Sequence, residues 1–457
     1  MGLTKRRRVE REIITQVDCL GPILASSSVD SFGKECYQKE KHLYFYRNLT
    51  PVSLLSMIDD VFAISNCGPE TIQIQEFINI KSGSKKLQYA TDKTFRMHIG
   101  KRNPAYKCEN VFIDSWRSNQ SKSRETYEGQ IKVKQTYKTK YLGEVICTDG
   151  SNAANISNRK GRGFGTVNDI MNMLDKMCLG PCMIQKALVL RDSMLVGTLL
   201  SCSEAWYNVS EAELCQLEQV DKALWCQLLE VARTIPYDLL CLELGVEPLR
   251  FIIMRRRLVY LQHVLKQKEN SLVKKFLKTQ NISPKKKDWI STAKDNLKQL
   301  KITLTLEDIE EMPRVTYKKI LKKKIKEEAL FYLLSKRDNR NGKGVEIQYQ
   351  NLVMQNYLSS EDIDITNQER KFIFQLRTKM CFKIKTHFRK MYENTLCEGC
   401  HVNESTAEHT MECISLIGRN ELITYLPSYI DIYGEDEDEQ VYIARIIKDN
   451  MSRLPPY

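Results

Sequence analysis

Long apolar segments are missing from this sequence. The best candidate for a membrane span, Ala187–Leu200, is interrupted by Arg191 and Asp192 and is typical of a buried helix. The N-terminus lacks the apolar core of a secretory signal peptide, and it lacks the hydroxyl residue at position 6 that N-myristoylation requires. These absences argue against a membrane protein and against a secreted one.

Acidic residues are too few to balance the basic ones. Lys and Arg number 70 and Asp and Glu 57, so the formal net charge is +13. This excess favours a polyanionic partner, and nucleic acid is a better candidate than an acidic membrane. The 15 cysteines, without a secretory signal, indicate a reducing compartment. We therefore expect a protein of the nucleus or cytoplasm, with thiols that are buried, reactive or metal-bound.

The residue pattern changes near position 150. Residues 1–150 combine short β-like runs with a few helical ones, separated by turn-forming stretches. Beyond them, apolar residues recur at helical spacing along most of the chain. The glycine-rich, basic stretch Ile156–Gly165 predicts a mobile linker at this change. A chain of 457 residues is long enough for about two to four domains.

Three helices are the clearest in the second part. Ser210 and Glu213 form a capping box at the start of the first. The second, Arg250–Gln267, carries three adjacent arginines beside its apolar face, and they either grip phosphates or form a solvated face. These arginines are Arg255, Arg256 and Arg257. The third is a long charged helix from about Pro313 to Lys336.

Four residues near the C-terminal end have the spacing of metal ligands. Cys397, Cys400, His409 and Cys413 form the pattern C-x2-C-x8-H-x3-C. Thiolates and imidazole suit tetrahedral Zn²⁺, and a set of four protein ligands leaves no open position for catalysis. A structural zinc site is therefore expected. His401 is the alternative fourth ligand, and reduced, unpaired thiols are the alternative to a metal site.

The stretch Leu54–Ile64 places the adjacent carboxylates of Asp59 and Asp60 between two apolar, partly β-branched runs. This arrangement predicts a β-hairpin with the carboxylates at its tip, and a helix is the competing structure. Burial of two adjacent carboxylates is costly unless cations compensate. An oxygen-rich Mg²⁺ site is the functional explanation, and an ordinary turn is the structural one.

Neighbouring motifs give this hairpin a context. Gln16 and the Gly21-Pro22 helix start precede it, and a segment with Lys93 and the "KYLG" stretch at Tyr141 follow it. In this order the motifs resemble the reverse transcriptases of non-LTR retrotransposons. That family has a "QG…P" loop and helix, an Asp-Asp hairpin, a Lys-bearing segment and a "YLG" hairpin that grips the primer.

The resemblance implies a role for each matching residue. Asp59 and Asp60 are implied to hold Mg²⁺, and Lys93 lies near the position of the lysine that protonates leaving pyrophosphate. Residues implied to position template, nucleotide or primer are Gln16, Gly21, Pro22, Tyr141, Leu142 and Gly143. The family often carries a CCHC knuckle downstream of the polymerase, which implies RNA and DNA as partners. No membrane partner is expected, because the sequence has no long apolar run.

The implied fold class is α+β, with an incomplete polymerase palm built of β-hairpins, then a mostly helical thumb and C-terminal region with a small zinc knuckle. The expected domains are the partial palm at 1–150, the helical thumb at 151–270, a basic helical extension at 271–390, and the knuckle with a C-terminal helix at 391–457.

Two departures from the family bear on activity. The third palm carboxylate belongs on a strand before Gln16, and no strand pattern there supplies it. Val17 stands where the family usually has glycine, and valine resists positive φ. We therefore expect a fragment of an RNA-directed DNA polymerase that is inactive alone. The alternative is a non-enzymatic nucleic-acid-binding protein that uses the basic thumb and the zinc knuckle.

Overall fold

The computed structural model describes most of the chain after residue 125 and shorter segments before it. The described residues are 44–46, 50–52, 54–57, 60–63, 76, 94–97, 112–118, 125–141, 143–177, 183–207, 209–282, 288–339, 347–359, 365–413, 428–434 and 436–452. The chain divides into two compact units, Met1–Ser151 with Gln267–Ser283, and Asn152–Lys266 with Pro284–Tyr457. None of the described helices is both long and apolar enough to cross a membrane.

The described strands of the first unit pair two by two. The antiparallel pairs are β1 (Tyr44–Tyr46) with β2 (Thr50–Val52), β3 (Leu54–Met57) with β4 (Asp60–Ala63), β6 (Phe112–Ser118) with β7 (Glu125–Lys132), and β9 (Lys138–Tyr141) with β10 (Glu144–Cys147). One pair is parallel, β5 (Phe95–Arg96) with β8 (Lys134–Gln135). These β-hairpins and short strands agree with the turn-rich pattern of residues 1–150.

The described helices carry the rest of the fold, and the α+β prediction with a helical C-terminal part is confirmed at this coarse level. They are α1 (Ala153–Lys176), α2 (Met183–Leu190), α3 (Val196–Leu200), α4 (Glu211–Leu228), α5 (Tyr237–Leu244), α6 (Leu249–Leu265), α7 (Leu272–Ile282), α8 (Trp289–Gln299), α9 (Leu306–Glu311), α10 (Arg314–Asp338), α11 (Asn356–Ser359), α12 (Asn367–Arg377), α13 (Ala407–Glu412) and α14 (Glu437–Ser452). Of these, α7 belongs to the first unit and the others to the second.

The prediction of a mobile linker at Ile156–Gly165 is wrong. Helix α1 runs through the whole stretch. A Cβ atom on Gly163 would lie 2.6 Å from Cδ2 of Leu199 and 2.9 Å from Cγ1 of Val220, both buried side chains. Glycine at this position therefore lets α1 approach α3 and α4 closely, which a count of turn-forming residues cannot reveal.

Helix α4 forms as its sequence predicts. The hydroxyl of Ser210 accepts a hydrogen bond from the Glu213 backbone N–H, and the Glu213 carboxylate accepts one from the Ser210 N–H. This capping box satisfies donors that have no partner within the helix. Apolar side chains three and four positions apart then face the core, and Leu217, Val220, Leu224 and Leu228 are all buried.

A buried ion pair holds α4 beside the segment after α2. The guanidinium of Arg191 donates to both carboxylate oxygens of Asp221 at 2.7 Å, and the Tyr237 hydroxyl donates to the same carboxylate at 2.6 Å. Asp221 is fully buried, so its charge depends on these partners. Arg191 begins a π-helical turn, Arg191–Leu195, which separates α2 from α3 within the predicted buried helix.

Candidate metal centre and cationic cavity

The four sequence-predicted zinc ligands converge. One potential ligand atom from each of Cys397, Cys400, His409 and Cys413 lies within 4.8 Å of the others. The Sγ atoms of Cys397 and Cys413 are 3.9 Å apart, close to the roughly 3.8 Å between two sulfurs of a tetrahedral zinc site. Sγ of Cys400 lies 3.3 Å from Nε2 of His409. The donor set and its spacing therefore fit a metal ion such as zinc.

Two short pieces of backbone present these ligands. Cys397 and Cys400 lie in a tight turn, in which the His401 N–H donates to the Cys397 carbonyl at 2.8 Å. His409 lies on α13, whose N-cap is Thr406, and the Thr406 hydroxyl accepts from the His409 N–H at 3.0 Å. This cap fixes the start of the helix, and Cys413 follows its last residue.

The convergent group contains His409 and not the alternative His401. His401 is exposed, and it is not part of the convergent group. The spacing of His409 and Cys413 places them one helical turn apart, so both reach the same point. In the part of the chain that the structure describes, no second group of His, Cys, Asp and Glu side chains has this arrangement.

The environment of Cys400 favours a thiolate. Hydrogen bonds from the backbone N–H groups of Asn403 and Val402 lower its thiol pKa to about 6, and contacts with His409 and Cys413 act in the same direction. A metal-binding cysteine must lose its proton, so this turn already favours the form that zinc binds.

The last helix holds this module in place. The Asn450 side chain on α14 donates to the carbonyls of Thr410 and Met411 at 2.9 and 3.3 Å. The last carbonyls of a helix have no hydrogen-bond donor within the helix. Because Asn450 is buried, its side chain supplies this donor in place of water. Helix α14 therefore positions the two ligands at 409 and 413.

The Asp-Asp stretch has the backbone of a hairpin. β3 and β4 pair with Met57 opposite Asp60, so residues 58 and 59 lie in the connection. This confirms the predicted strand pairing over the competing helix. Asp59 lies outside the described residues, as does the side chain of Asp60. Magnesium binding at this pair therefore stays a prediction.

The other polymerase-like positions are only partly described. Tyr141 ends β9 and pairs with Glu144, the first residue of β10, and Gly143 in the connecting turn has φ +88°. That backbone conformation favours glycine. The positions that lie outside the described residues are Gln16, Gly21, Pro22, Lys93 and Leu142.

A second candidate site is a cavity of about 630 Å³ beside helices α6 and α10. Helix α6 lines it with Arg255, Arg256, Val259, Tyr260 and His263. Helix α10 lines it with Arg314, Lys318, Leu321 and Lys322. Among the described residues, Glu204 is the one acidic side chain in the lining. Five cationic side chains against one carboxylate make this cavity suited to anions.

The three adjacent arginines of α6 have different environments. Arg255 pairs with Glu247 at 2.7 Å, and Arg256 donates to the Leu200 carbonyl while still lining the cavity. Arg257 is buried, and its guanidinium donates to the Trp206 carbonyl and to Asn296. Burial lowers the Arg257 pKa to about 10. Arg257 therefore holds helices together and does not line the cavity.

Sequence reasoning missed the contribution of α10 to this cavity. Arg314, Lys318 and Lys322 recur every four residues, which places them on one face of the helix. That spacing was available in the sequence. The partner helix was not, because nothing local indicates that this face lies beside α6.

Two comparisons with known proteins were made, and neither identifies a family for this chain. No protein-family model and no curated protein matches this chain.

Proposed function

We propose that this chain is a nucleic-acid-binding protein related to the reverse transcriptases of non-LTR retrotransposons, with a structural zinc ion at Cys397, Cys400, His409 and Cys413. The convergence of these four ligand atoms within 4.8 Å carries the proposal. Four protein ligands would fill all four coordination positions of a zinc ion bound there. Such an ion would stabilise a binding module and would not activate water.

Charge supports nucleic acid as the partner. The chain has a formal net charge of +13. Lys and Arg that contact phosphates release condensed counterions, so affinity falls steeply as salt rises. Binding of this kind does not require the polymerase residues.

The test measures zinc and nucleic-acid affinity in the full chain. We expect about one zinc ion per chain, as a single four-ligand site requires. We also expect affinity for a labelled RNA or DNA oligonucleotide to fall about tenfold or more between 50 and 200 mM salt. Fluorescence anisotropy and metal analysis measure both quantities. Salt-insensitive or absent binding would contradict the proposal.

A matched cysteine pair tests the metal site. Cys397→Ser removes a ligand, so we expect loss of zinc and weaker nucleic-acid binding. Cys215→Ser changes an exposed cysteine outside the cluster and should leave both unchanged. Equal zinc content in the two variants would show that the cluster is not the metal site.

Polymerase activity is the second candidate function. The β3–β4 pairing favours it, because the register places Met57 opposite Asp60 and makes Asp60 the first residue of β4. In this proposal Asp59 and Asp60 hold Mg²⁺ for nucleotidyl transfer to a primer 3′ hydroxyl. The test is primer extension on an RNA template, with the double variant Asp59→Ala, Asp60→Ala as the control. Extension by both proteins would rule out this site, and extension by neither would rule out autonomous synthesis.

A further inference from the structure

The cavity beside α6 and α10 has cations that no protein group neutralises among the described residues. Arg314, Lys318 and Lys322 are exposed, and no ion-pair partner for them occurs in the described part of the chain. On the same helix, Lys324 pairs with Glu327 at 2.9 Å. The cavity face of α10 therefore presents three cations that remain available to an anion.

The opposite wall adds further positive charge. Arg256 lines the cavity beside Arg255, and burial together with the nearby charges of Arg255 and Arg159 lowers the Arg256 pKa. The carboxylate of Glu204 acts in the opposite direction. A bound anion would reduce this repulsion between cations, which favours phosphate over a neutral ligand.

One wall of the cavity is aromatic. The Tyr260 and His263 rings stack with their centroids 5.8 Å apart and an angle of 26° between their planes. The Tyr260 ring also packs edge-on against Trp289 at 5.9 Å, which restricts its orientation. Val259 and the buried Leu321 add apolar lining. A flat, partly apolar ligand group can therefore pack against this wall.

The cations of α6 and α10 and the aromatic wall at Tyr260 together suit a nucleotide, which has a phosphate and a flat base. Single-strand-binding proteins combine positive grooves for the backbone with aromatic rings on which bases stack. The volume of about 630 Å³ lies within the roughly 300–1,000 Å³ of small-ligand pockets, so it admits one nucleotide unit. A base within a duplex is already stacked and paired, and it could enter only after extrusion.

We propose that this cavity binds one unpaired nucleotide of a single-stranded nucleic acid, with its phosphate at Arg314, Lys318 and Lys322 and its base against Tyr260. The inference rests on the proposed nucleic-acid-binding function and names the substrate form that the cavity selects. It gives α6 and α10 a role separate from that of the zinc module.

Helix α10 supplies a matched pair of variants for the test. Lys318→Gln with Lys322→Gln removes two charges from the cavity. Lys319→Gln with Lys323→Gln removes two charges from exposed neighbours on the same helix that do not line it. Both double variants change the net charge equally, so a difference between them reports the cavity and not the overall charge.

Fluorescence anisotropy of the full chain gives the readout, with a labelled 12-nucleotide single strand and a duplex of the same sequence. We expect the unmutated protein to prefer the single strand. The Lys318/Lys322 variant should lower the magnitude of the slope of log affinity against log salt by up to about 0.7, because both lysines contact the same phosphate and one single-strand phosphate contact contributes about 0.7. The Lys319/Lys323 variant should change this slope much less.

A second pair of variants tests the aromatic wall. Tyr260→Leu removes the ring. We expect the single-strand affinity to fall roughly fivefold or more, as it does when an aromatic ring that stacks on one base is removed from other single-strand-binding proteins. Tyr260→Phe keeps the ring and should bind like the unmutated protein. Circular dichroism and thermal melting check that both variants fold.

The outcomes separate the cavity from the proposed function. Salt-dependent binding by the unmutated protein, with equal losses in the two lysine variants, would overturn the cavity assignment and leave nucleic-acid binding intact. Equal affinity for single strand and duplex would also overturn it, as would equally tight binding of free nucleoside monophosphate. Absence of any nucleic-acid binding by the unmutated protein would overturn both proposals.

Discussion

Gly163 shows how one residue sets the distance between helices. The side chains of Leu199 and Val220 occupy the space next to its Cα, and both are buried in the core. An added methyl group must displace them, and such overpacking typically costs about 1–3 kcal/mol. Gly165, two residues later on α1, has open space where its Cβ would lie.

This contrast gives a prediction at the residue scale. Gly163→Ala should lower the free energy of unfolding by about 1–3 kcal/mol, less any gain in helix propensity. Gly165→Ala should raise the free energy of unfolding by up to about 1 kcal/mol, because alanine favours the helix and meets no neighbour. Urea denaturation followed by circular dichroism measures both. Equal changes in the two variants would contradict the close approach of α1 to α3 and α4.

Single residues also show what the sequence could reveal. The convergence of Cys397, Cys400, His409 and Cys413 was predictable, because their spacing is local and the metal-binding chemistry of thiolate and imidazole is specific. Arg257 was not, because its burial depends on Trp206 and Asn296, which are distant in sequence. Three adjacent arginines look alike in sequence, and only packing distinguishes those that line a cavity from one that is buried.

At the element scale, helix α12 begins with a capping box whose contribution to stability should depend on pH. The Glu369 carboxylate accepts hydrogen bonds from the Thr366 N–H and hydroxyl, and from Arg445 on α14 at 2.8 Å. Burial alone would raise the Glu369 pKa. The hydrogen bonds from Arg445 and Thr366 outweigh burial and lower the pKa to about 2.

The depressed pKa predicts the pH range in which this contact is lost. The stabilisation by Glu369 is fully present above its ordinary pKa of 4.5 and decreases as the pH falls towards about 2. Glu369→Gln keeps a capping side chain but loses the charge, so we expect a loss of about 1 kcal/mol at pH 7. The loss should shrink between pH 4.5 and 2. A constant difference across urea denaturations at pH 7, 4 and 3 would contradict this cause.

Elements differ in how well the sequence predicts them. Helix α4 was predictable because its capping box and apolar spacing are local signals, and α10 because a proline marks its start. Helix α1 was mistaken for a linker at Ile156–Gly165, since glycine has low helix propensity and its packing role is invisible without the partner helices. The β3–β4 pairing was predictable, because apolar and β-branched runs flank a short polar break.

At the scale of the whole molecule, one buried carboxylate joins distant parts of the second unit. Glu243 on α5 accepts hydrogen bonds from the hydroxyls of Tyr349 and Tyr357 at 2.6 and 2.5 Å. The Arg377 guanidinium on α12 donates to both of its oxygens at 3.2 Å and also to the Ile432 carbonyl. Glu243 and Arg377 are both fully buried. This network therefore fixes four segments that are far apart in sequence.

Neutralising this carboxylate should destabilise the second unit strongly. In Glu243→Gln the buried Arg377 charge loses its counter-ion, a change that costs about 3–5 kcal/mol in comparable buried pairs. The matched control is Glu230→Gln, because Glu230 pairs with Lys371 at 2.6 Å but is 56% exposed. Exposed pairs contribute at most about 1 kcal/mol, so this control should unfold nearly like the unmutated protein. Thermal melting and urea denaturation of the full chain measure both, and a similar small loss in the two variants would show that Glu243 does not hold the four segments together.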